Sequence, residues 1–379
     1  MPEQSICHDA LAVQFAGKRV LVTGHTGFKG GWLCLWLKEL GAEVTGIALP
    51  PPGGPTLFSA VGLAQVIDHR IGDIREGADF ARACEGLEPD LVIHMAAQSL
   101  VRPSYADPVD TFRTNAVGTA VVLDQVRRMP SVRGVVVVTS DKCYENNEWP
   151  WPYRETDPMG GADPYSASKG CTELVASSFR RSFFSDPKGC QIATVRAGNV
   201  IGGGDWAVDR LVPDIIRATI AGTAVAIRNP ASVRPWQHVL EPLSGYLTIA
   251  ALLLSDAAHD FAEAWNFGPS PDAFVDVETI ARILQKTWGP GAAAIAFGKR
   301  TDDPHEAGML TLDSSKAHAR LGWRPRLTTE QAIAMTANWY RVFADGSEDM
   351  RSLTIGQIAS FAASAELSSR VQEKIQACA

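Results

Sequence analysis

No stretch of the chain approaches the roughly 18 consecutive apolar residues that a membrane-spanning helix needs. The opening MPEQSICHDALAVQFAG carries Glu3 and Asp9 where a secretory leader has a basic region and then a long apolar run, so it reads as a poor signal peptide and the expected location is the cytoplasm. The seven cysteines (Cys7, Cys34, Cys84, Cys143, Cys171, Cys190, Cys378) include no CxxC pair, which argues against a disulfide or zinc framework; no metal is expected. Positive charge is not in excess. Thirty-five Lys and Arg against 42 Asp and Glu give −7, so wholesale binding to nucleic acid or to an anionic membrane is disfavoured. An anionic ligand therefore has to be held by a local cluster of Arg or Lys. Repeats and low-complexity segments are also missing. The 46% hydrophobic and 20% charged residues are an ordinary globular balance, and 379 residues suggest two domains or one large core with an accessory lobe.

What is present first is a rhythm of strand and helix. Arg19–Thr23 (RVLVT) is a short apolar, β-branched run followed by GHTGFKG, and Trp32, Leu33, Leu35, Trp36, Leu37 and Leu40 then mark a helix ending at Gly41. Residues 43–49, 65–69, 90–94 and 133–139 read as further strands, with helices over 108–129 and 164–184. Near-continuous apolar strands separated by helices predict a doubly wound parallel sheet covered on both faces, an α/β domain over residues 17–190. After about Gln191 the strand QIATVRA leads into VIGGGDW and a region rich in Pro, Trp and Arg, with helices expected near 242–254, 277–288, 328–343 and 365–377. Residues 201–379 are expected to form mainly a smaller mixed α/β lobe over the sheet's carboxyl edge, interleaved with the first domain through strands near 191–200 and 262–268.

Gly24, Gly27 and Gly30 form GxxGxxG directly after the first strand and at the start of a helix. Glycines there let the chain turn tightly and bring backbone N–H groups against a pyrophosphate at the helix's positive end. A glycine triplet alone is a weak signal; the flanking strand and helix strengthen it. The second strand ends at Leu49 and Pro50, without the acid that would hold adenosine ribose hydroxyls, and no arginine follows closely to favour a 2′-phosphate. NAD is expected over NADP on the missing base. His25, beside the glycines, is expected to pack locally.

Tyr165 and Lys169 form YxxxK at the start of an amphipathic helix, and four-residue spacing puts both on one face. An ammonium beside a phenol favours the phenolate, giving a base that takes a hydroxyl proton while hydride leaves the same carbon. Ser140 ends the preceding strand in TSDKCYE, where it can hydrogen-bond the reacting hydroxyl; Asp141 and Lys142 follow it, and a solvated turn is the plainer reading of that pair.

The segments TSDKCYENNEWPW, PMGGADPYSASKG, VRAGNVIGGGDW and RNPASVRPWQHVLEPLSGY resemble nucleotide-sugar 4,6-dehydratases of the extended short-chain dehydrogenase/reductase family, and within it the branch acting on CDP-D-glucose, from about Gly17 to about Leu353. Relatives acting on dTDP-glucose and GDP-mannose carry Asp–Glu in place of Asp141–Lys142. The resemblance implies oxidation at C4 with Tyr165 as base, removal of H5 by Lys142, protonation of the departing 6-hydroxyl by Asp141, and return of hydride to C6, in a deoxysugar pathway of the lipopolysaccharide kind. It implies tightly bound NAD against Gly24, Gly27, Phe28, Lys29, Gly30, Asp73, Ile74, Ala96, Ala97, Gln98, Thr114, Tyr165, Lys169 and Val200. The nucleotide sugar falls to Gln98, Asn199, Arg210, Leu211, Asn229, Arg234, Asn266 and His305, with Trp206, Trp236, His238 and Glu306 nearby. A homodimer or larger oligomer is implied through the helices at 108–129 and 164–184, with Val117, Ala120, Val121 and Leu123 as a face. Two alternatives stand beside this. One is a related dehydratase or 4-epimerase with another base; the other is a non-catalytic NAD-binding scaffold.

Overall fold

A computed structural model describes residues 6–270, 273–298 and 309–363. Seven strands build one sheet: β1 (Arg19–Thr23), β2 (Glu43–Ala48), β3 (Asp68–Ile71), β4 (Leu91–His94), β5 (Gly134–Val138), β6 (Gln191–Ala197) and β7 (Ala264–Phe267). Their order is β7-β6-β5-β4-β1-β2-β3, and every neighbouring pair is parallel, with Val22 opposite Gly46 on one side and Ile93 on the other. The chain winds outward in one direction from β1 and in the other from β4. The carboxyl ends of those two strands therefore open a crevice, the place where such sheets bind ligands.

Alternation within each strand makes the sheet two-faced. Val20, Val22, Leu91, Ile93, Val136 and Val138 join the larger core cluster; Leu21, Val92, Val135, Val137 and Ile192 join a smaller one on the opposite face. Helices cover both sides, among them α1 (Ile6–Phe15), α2 (Phe28–Glu39), α3 (Pro164–Ser182), α4 (Leu211–Ala221), α5 (Leu240–Leu253), α6 (Val277–Trp288), α7 (Thr329–Asp345) and α8 (Met350–Ala363). All of α5 is buried, as its nearly uninterrupted apolar sequence requires. The doubly wound architecture is the one expected.

The differences have local causes. β3 lies at 68–71 rather than 65–69, because an edge strand reading DHRI offers no apolar signal and Leu63–Gln65 is a 3-10 turn instead. The helix expected over 108–129 is broken: Pro108–Phe112, a wide π turn at Arg113–Val117, then Gly118–Val126. Asn115 in that turn spends its side chain on the Gln98 backbone and on Ser168, and its carbonyl on Thr119 and Thr172, so the irregularity ties the cofactor-side loop to α3. Beyond β6, three two-stranded ribbons join Val200–Ile201 with Gln237–His238, Val225–Arg228 with Ile295–Gly298, and Val233–Pro235 with Phe274–Asp276. Strands of two to four residues carry no readable period. α1 and α8 were not foreseen either; their apolar residues are spread around the helix, and Phe361 meets Trp36 edge-on at 5.8 Å. The helix expected near 365–377 lies outside the described residues.

Candidate active site

A cavity of about 720 Å³ opens at the carboxyl ends of β1 and β4, between the sheet and the later lobe. It gathers Gly24, Gly27, Phe28, Lys29, Gly30, Asp73, Ile74, Ala96, Ala97, Gln98, Thr114 and Val200 from the expected cofactor set. Ser140, Asp141, Lys142, Tyr165 and Lys169 share it with Asn199, Arg210, Leu211, Asn229 and Arg234. Asn266 does not line it. Fully buried on β7, Asn266 accepts from the Tyr144 hydroxyl and donates to the carbonyls of Tyr153 and Asp313, which makes it a framework residue rather than a ligand contact. His305 and Glu306 lie outside the described residues.

The residues at one end fit a dinucleotide. Gly24 turns with φ of +81°, and a Cβ on it would stand 2.7 Å from the Ala96 nitrogen, so only glycine permits this approach. α2 follows Gly27 at its cap position, with no side-chain cap and no acidic residue in its first turn, leaving its N–H groups and positive end to an anion such as a pyrophosphate. Beside Asp73, Arg75 reaches the cavity unforeseen, its guanidinium held by Asp73 and Asp110, each at 2.7 Å. Hydrogen bonds from Arg75 hold the Asp73 carboxyl below its usual range. His25 packs beneath β2 with Nε2 2.6 Å from His69 Nδ1, and burial brings it down to about 4. Lys29 donates to the Tyr246 hydroxyl at 3.1 Å; burial of its ammonium, with the Lys169 and Arg210 charges, brings it to about 7.

At the reacting end, Asp163 caps α3 by accepting from the Ser166 N–H at 2.9 Å, and Pro164 starts the first turn, so Tyr165 and Lys169 emerge together on the buried face. Ser140 closes β5 and caps the short turn Asp141–Cys143, accepting from the Lys142 N–H at 3.2 Å and donating to Asp141 Oδ1 at 2.9 Å. Burial pushes the Asp141 carboxyl up, against the pull of Lys142 and the Ser140 hydrogen bond. The phenol departs from expectation. Burial raises Tyr165 to about 12, with the Ser140 hydrogen bond and the Arg210 charge opposing. Lys169, itself brought to about 8 by burial, places its ammonium 3.5 Å from the Val138 carbonyl. Spacing put the two side chains on one face, but burial outweighs the Ser140 hydrogen bond and the Arg210 charge at the phenol. Opposite them, Arg210 stands at the start of α4 and pairs with Asp205 at 2.8 Å, and Asn229 holds a left-handed φ of +46° that asparagine tolerates better than most residues. Sequence reasoning missed Arg75 and Asp205, although an acid inside GGGDW, five residues before an expected phosphate arginine, was a usable signal.

Glycine-cradled backbone, a serine at a strand end and a Tyr–Lys pair on the adjoining helix together define a dehydrogenase-type site of the extended short-chain class. The family model described as GDP-mannose 4,6 dehydratase matches residues 21–336. A CDP-glucose 4,6-dehydratase of Salmonella typhimurium (strain LT2) is 51% identical over 338 residues, covering 88% of this chain and 93% of that one. A dTDP-glucose 4,6-dehydratase of Xanthomonas campestris pv. campestris is 30% identical over 338 residues, covering 84% and 92%. Among solved structures, the dTDP-glucose 4,6-dehydratase DesIV of Streptomyces venezuelae, determined with NAD bound, superposes with a TM-score of 0.73 at 25% identity over 88% of this chain and 99% of that one. The chain belongs to the nucleotide-sugar 4,6-dehydratase family.

Proposed function

We propose that this chain converts CDP-D-glucose to CDP-4-dehydro-6-deoxy-D-glucose, with NAD held in the cavity and regenerated in each turnover. The observation that carries the reading is the 51% identity to a CDP-glucose 4,6-dehydratase along 93% of its length. NAD, when bound, supplies the acceptor for the C4 hydride and its donor to C6, and its oxidised ring adds positive charge to the cavity. The chain's own residues do the rest. Tyr165 takes the proton of the 4-hydroxyl, and Ser140 hydrogen-bonds the same oxygen. The resulting ketone acidifies H5, which Lys142 removes and, as hydride returns to C6, gives back as a proton to C5. Asp141 then protonates the departing 6-hydroxyl; a carboxyl pushed up by burial suits that task. Asn199, Arg210, Asn229 and Arg234 hold the nucleoside diphosphate, arginine forks matching phosphate oxygens. Incubating the purified protein with CDP-, dTDP-, UDP- and GDP-glucose and weighing the products tests this. The expected result is loss of one water from CDP-glucose. Water loss from another sugar alone moves the base preference, and a 4-epimer formed without water loss overturns the reading.

The setting follows from the same reading. A cytoplasmic enzyme is supported by the unpaired Cys34, Cys84, Cys143, Cys171 and Cys190, and no described helix is long and apolar enough to cross a membrane. A homodimer through α3 and the helices at 108–126 is supported by apolar side chains left on that face: Val109 is 76% exposed, Leu174 61%, and Val117 and Phe183 each 52%. Leu123 leaves the face proposed from sequence, since it is fully buried within the chain. Light scattering at micromolar concentration should give at least a dimer, and Leu174→Glu should shift it toward monomer; a wild-type monomer removes the proposal.

A further inference from the structure

The residues assigned to the chemistry stand on two elements: Ser140, Asp141 and Lys142 follow β5, while Tyr165 and Lys169 stand on α3. What registers one against the other lies behind the cavity. Glu173, one turn beyond Lys169, turns its carboxylate toward the sheet. One oxygen accepts from the Thr139 hydroxyl at 2.6 Å and from Arg196 Nε at 2.7 Å; the other accepts from the Thr194 hydroxyl at 2.7 Å and from a second guanidinium nitrogen at 2.9 Å. The remaining guanidinium nitrogen donates to the Tyr144 hydroxyl at 2.6 Å and to the Glu155 carbonyl at 3.2 Å, and Tyr144 donates onward to Asn266 at 2.7 Å. Thr139 immediately precedes Ser140, and Tyr144 follows Lys142 by two residues. The reacting tripeptide is thus gripped on both sides by one ion pair anchored on α3 and β6.

The Arg196 and Glu173 side chains are only 3% and 6% exposed, and neither lines the cavity. A buried ion pair is a poor way to gain stability, because desolvation of both charges offsets their attraction and apolar side chains of similar volume do as well or better. What such a pair supplies is direction. Two parallel hydrogen bonds and two hydroxyl donors fix the carboxylate in one place. Burial works to raise the Glu173 carboxyl, yet the Arg196 charge and these donors hold it below its usual range, so the pair stays ionised.

We infer that Glu173 and Arg196 are positioning residues for the dehydration, holding Ser140, Asp141 and Lys142 in register with Tyr165 and Lys169. The inference rests on the proposed roles of those five residues. Displacement of reacting groups by about 1 Å costs on the order of 10²-fold in rate. The paired substitution Glu173→Leu with Arg196→Met removes both charges together and leaves none stranded. It should keep the melting temperature near wild type and the KM for CDP-glucose within about threefold, while kcat falls roughly 10²-fold. A decisive second readout is the share of turnovers released as the 4-keto-hexose without loss of water. That ratio does not depend on how much of the sample is folded, and it should rise. A folded double variant with near-wild-type kcat and no released 4-keto-hexose overturns the inference. If the double variant fails to fold, Tyr144→Phe, which deletes only the oxygen tying Arg196 to the segment after Lys142, decides instead. Released 4-keto-hexose at unchanged KM supports the inference, and unchanged partitioning overturns it. Asp141→Asn and Tyr165→Phe run beside these separate the two levels. If those variants keep turning over, the proposed roles themselves fail; if they stop while the Glu173 and Arg196 variants do not, only the positioning fails.

Discussion

The cavity's two walls hold charge in opposite ways. Behind the reacting segment, Arg196 is dry and matched on every nitrogen by Glu173, the Tyr144 hydroxyl and the Glu155 carbonyl. On the opposite wall three arginines are part-exposed and lean on carboxylates: Arg210 on Asp205 at 2.8 Å, Arg228 on Asp209 at 3.2 Å, Arg102 on Asp209 at 3.6 Å; Arg234 there is buried. A dry, fully matched pair fixes geometry and has nothing to exchange. The pairs on the exposed Asp209 cost little to part, so Arg228 and Arg102 can trade a carboxylate for a phosphate of the same shape, whereas the buried Asp205 holds Arg210 in place. On the proposed roles, the first wall should govern rate and the second binding.

The largest break in that division should come from Tyr165→Phe. The ring stays and only the proton acceptor goes, so nucleotide-sugar and NAD binding should persist while turnover falls about 10²–10⁴-fold. Binding measured by fluorescence titration alongside steady-state rates checks both halves. Near-wild-type turnover would take Tyr165 out of the chemistry.

Next in size, and of the same kind, is the neighbouring pair. Lys142→Met should allow oxidation at C4 but stop before elimination, with no exchange of H5 for solvent deuterium. Asp141→Asn should keep that exchange and lose water elimination. Each should cost about 10²-fold or more in product formation. Mass spectrometry of products formed in deuterium oxide distinguishes the two arrests, and wild-type elimination by Lys142→Met would place the base elsewhere.

Arg210→Ala tests the wet wall. Losing a charged hydrogen-bond donor should raise KM for the nucleotide sugar roughly 10–100-fold and leave kcat within a small factor. A fall in kcat at constant KM would instead put Arg210 with the reacting residues, whose phenol it faces electrostatically.

How far the sequence carried the two walls differs for the same reason. β1, β4, β5 and β6 announced themselves as apolar runs, GxxGxxG and YxxxK sit at fixed offsets from them, and so the dry wall's outline was legible. The contacts made by its charged residues were not. Arg196 in an otherwise apolar strand was a visible anomaly, but its partner Glu173 is 23 residues away and only the fold brings them together. On the wet wall, ribbons of two to four residues leave no period. There Asn266 was misplaced by position alone, and only the folded chain shows its amide spent on Tyr144, Tyr153 and Asp313. The burial of the Tyr165 phenol was not legible either, since spacing does not report it.

A third buried carboxyl sharpens the contrast with the smallest effect on turnover. Glu241, on the first turn of α5, is as buried as Glu173 but has no guanidinium clasping it. One oxygen accepts the backbone N–H groups of Arg326 and Leu327 at 2.8 and 2.7 Å, and the other finds no partner among the described residues. Burial therefore wins, and the carboxyl is raised from 4.5 to about 7 against those hydrogen bonds and the Arg326 charge. The sign follows from proton binding: between about pH 4.5 and about pH 7 the unfolded chain has released the proton while the native state still holds it, so stability falls as pH rises through that window. Below it the cost vanishes; above it the cost is complete, at most about 3 kcal/mol. Glu241→Gln retains the accepting oxygen and removes the titration. Chemical denaturation of both proteins across this range should show the wild type losing stability relative to the variant as pH rises, with the same kcat for both. Parallel curves would mean that Glu241 stays ionised, and that a buried carboxylate here needs no arginine to keep its charge.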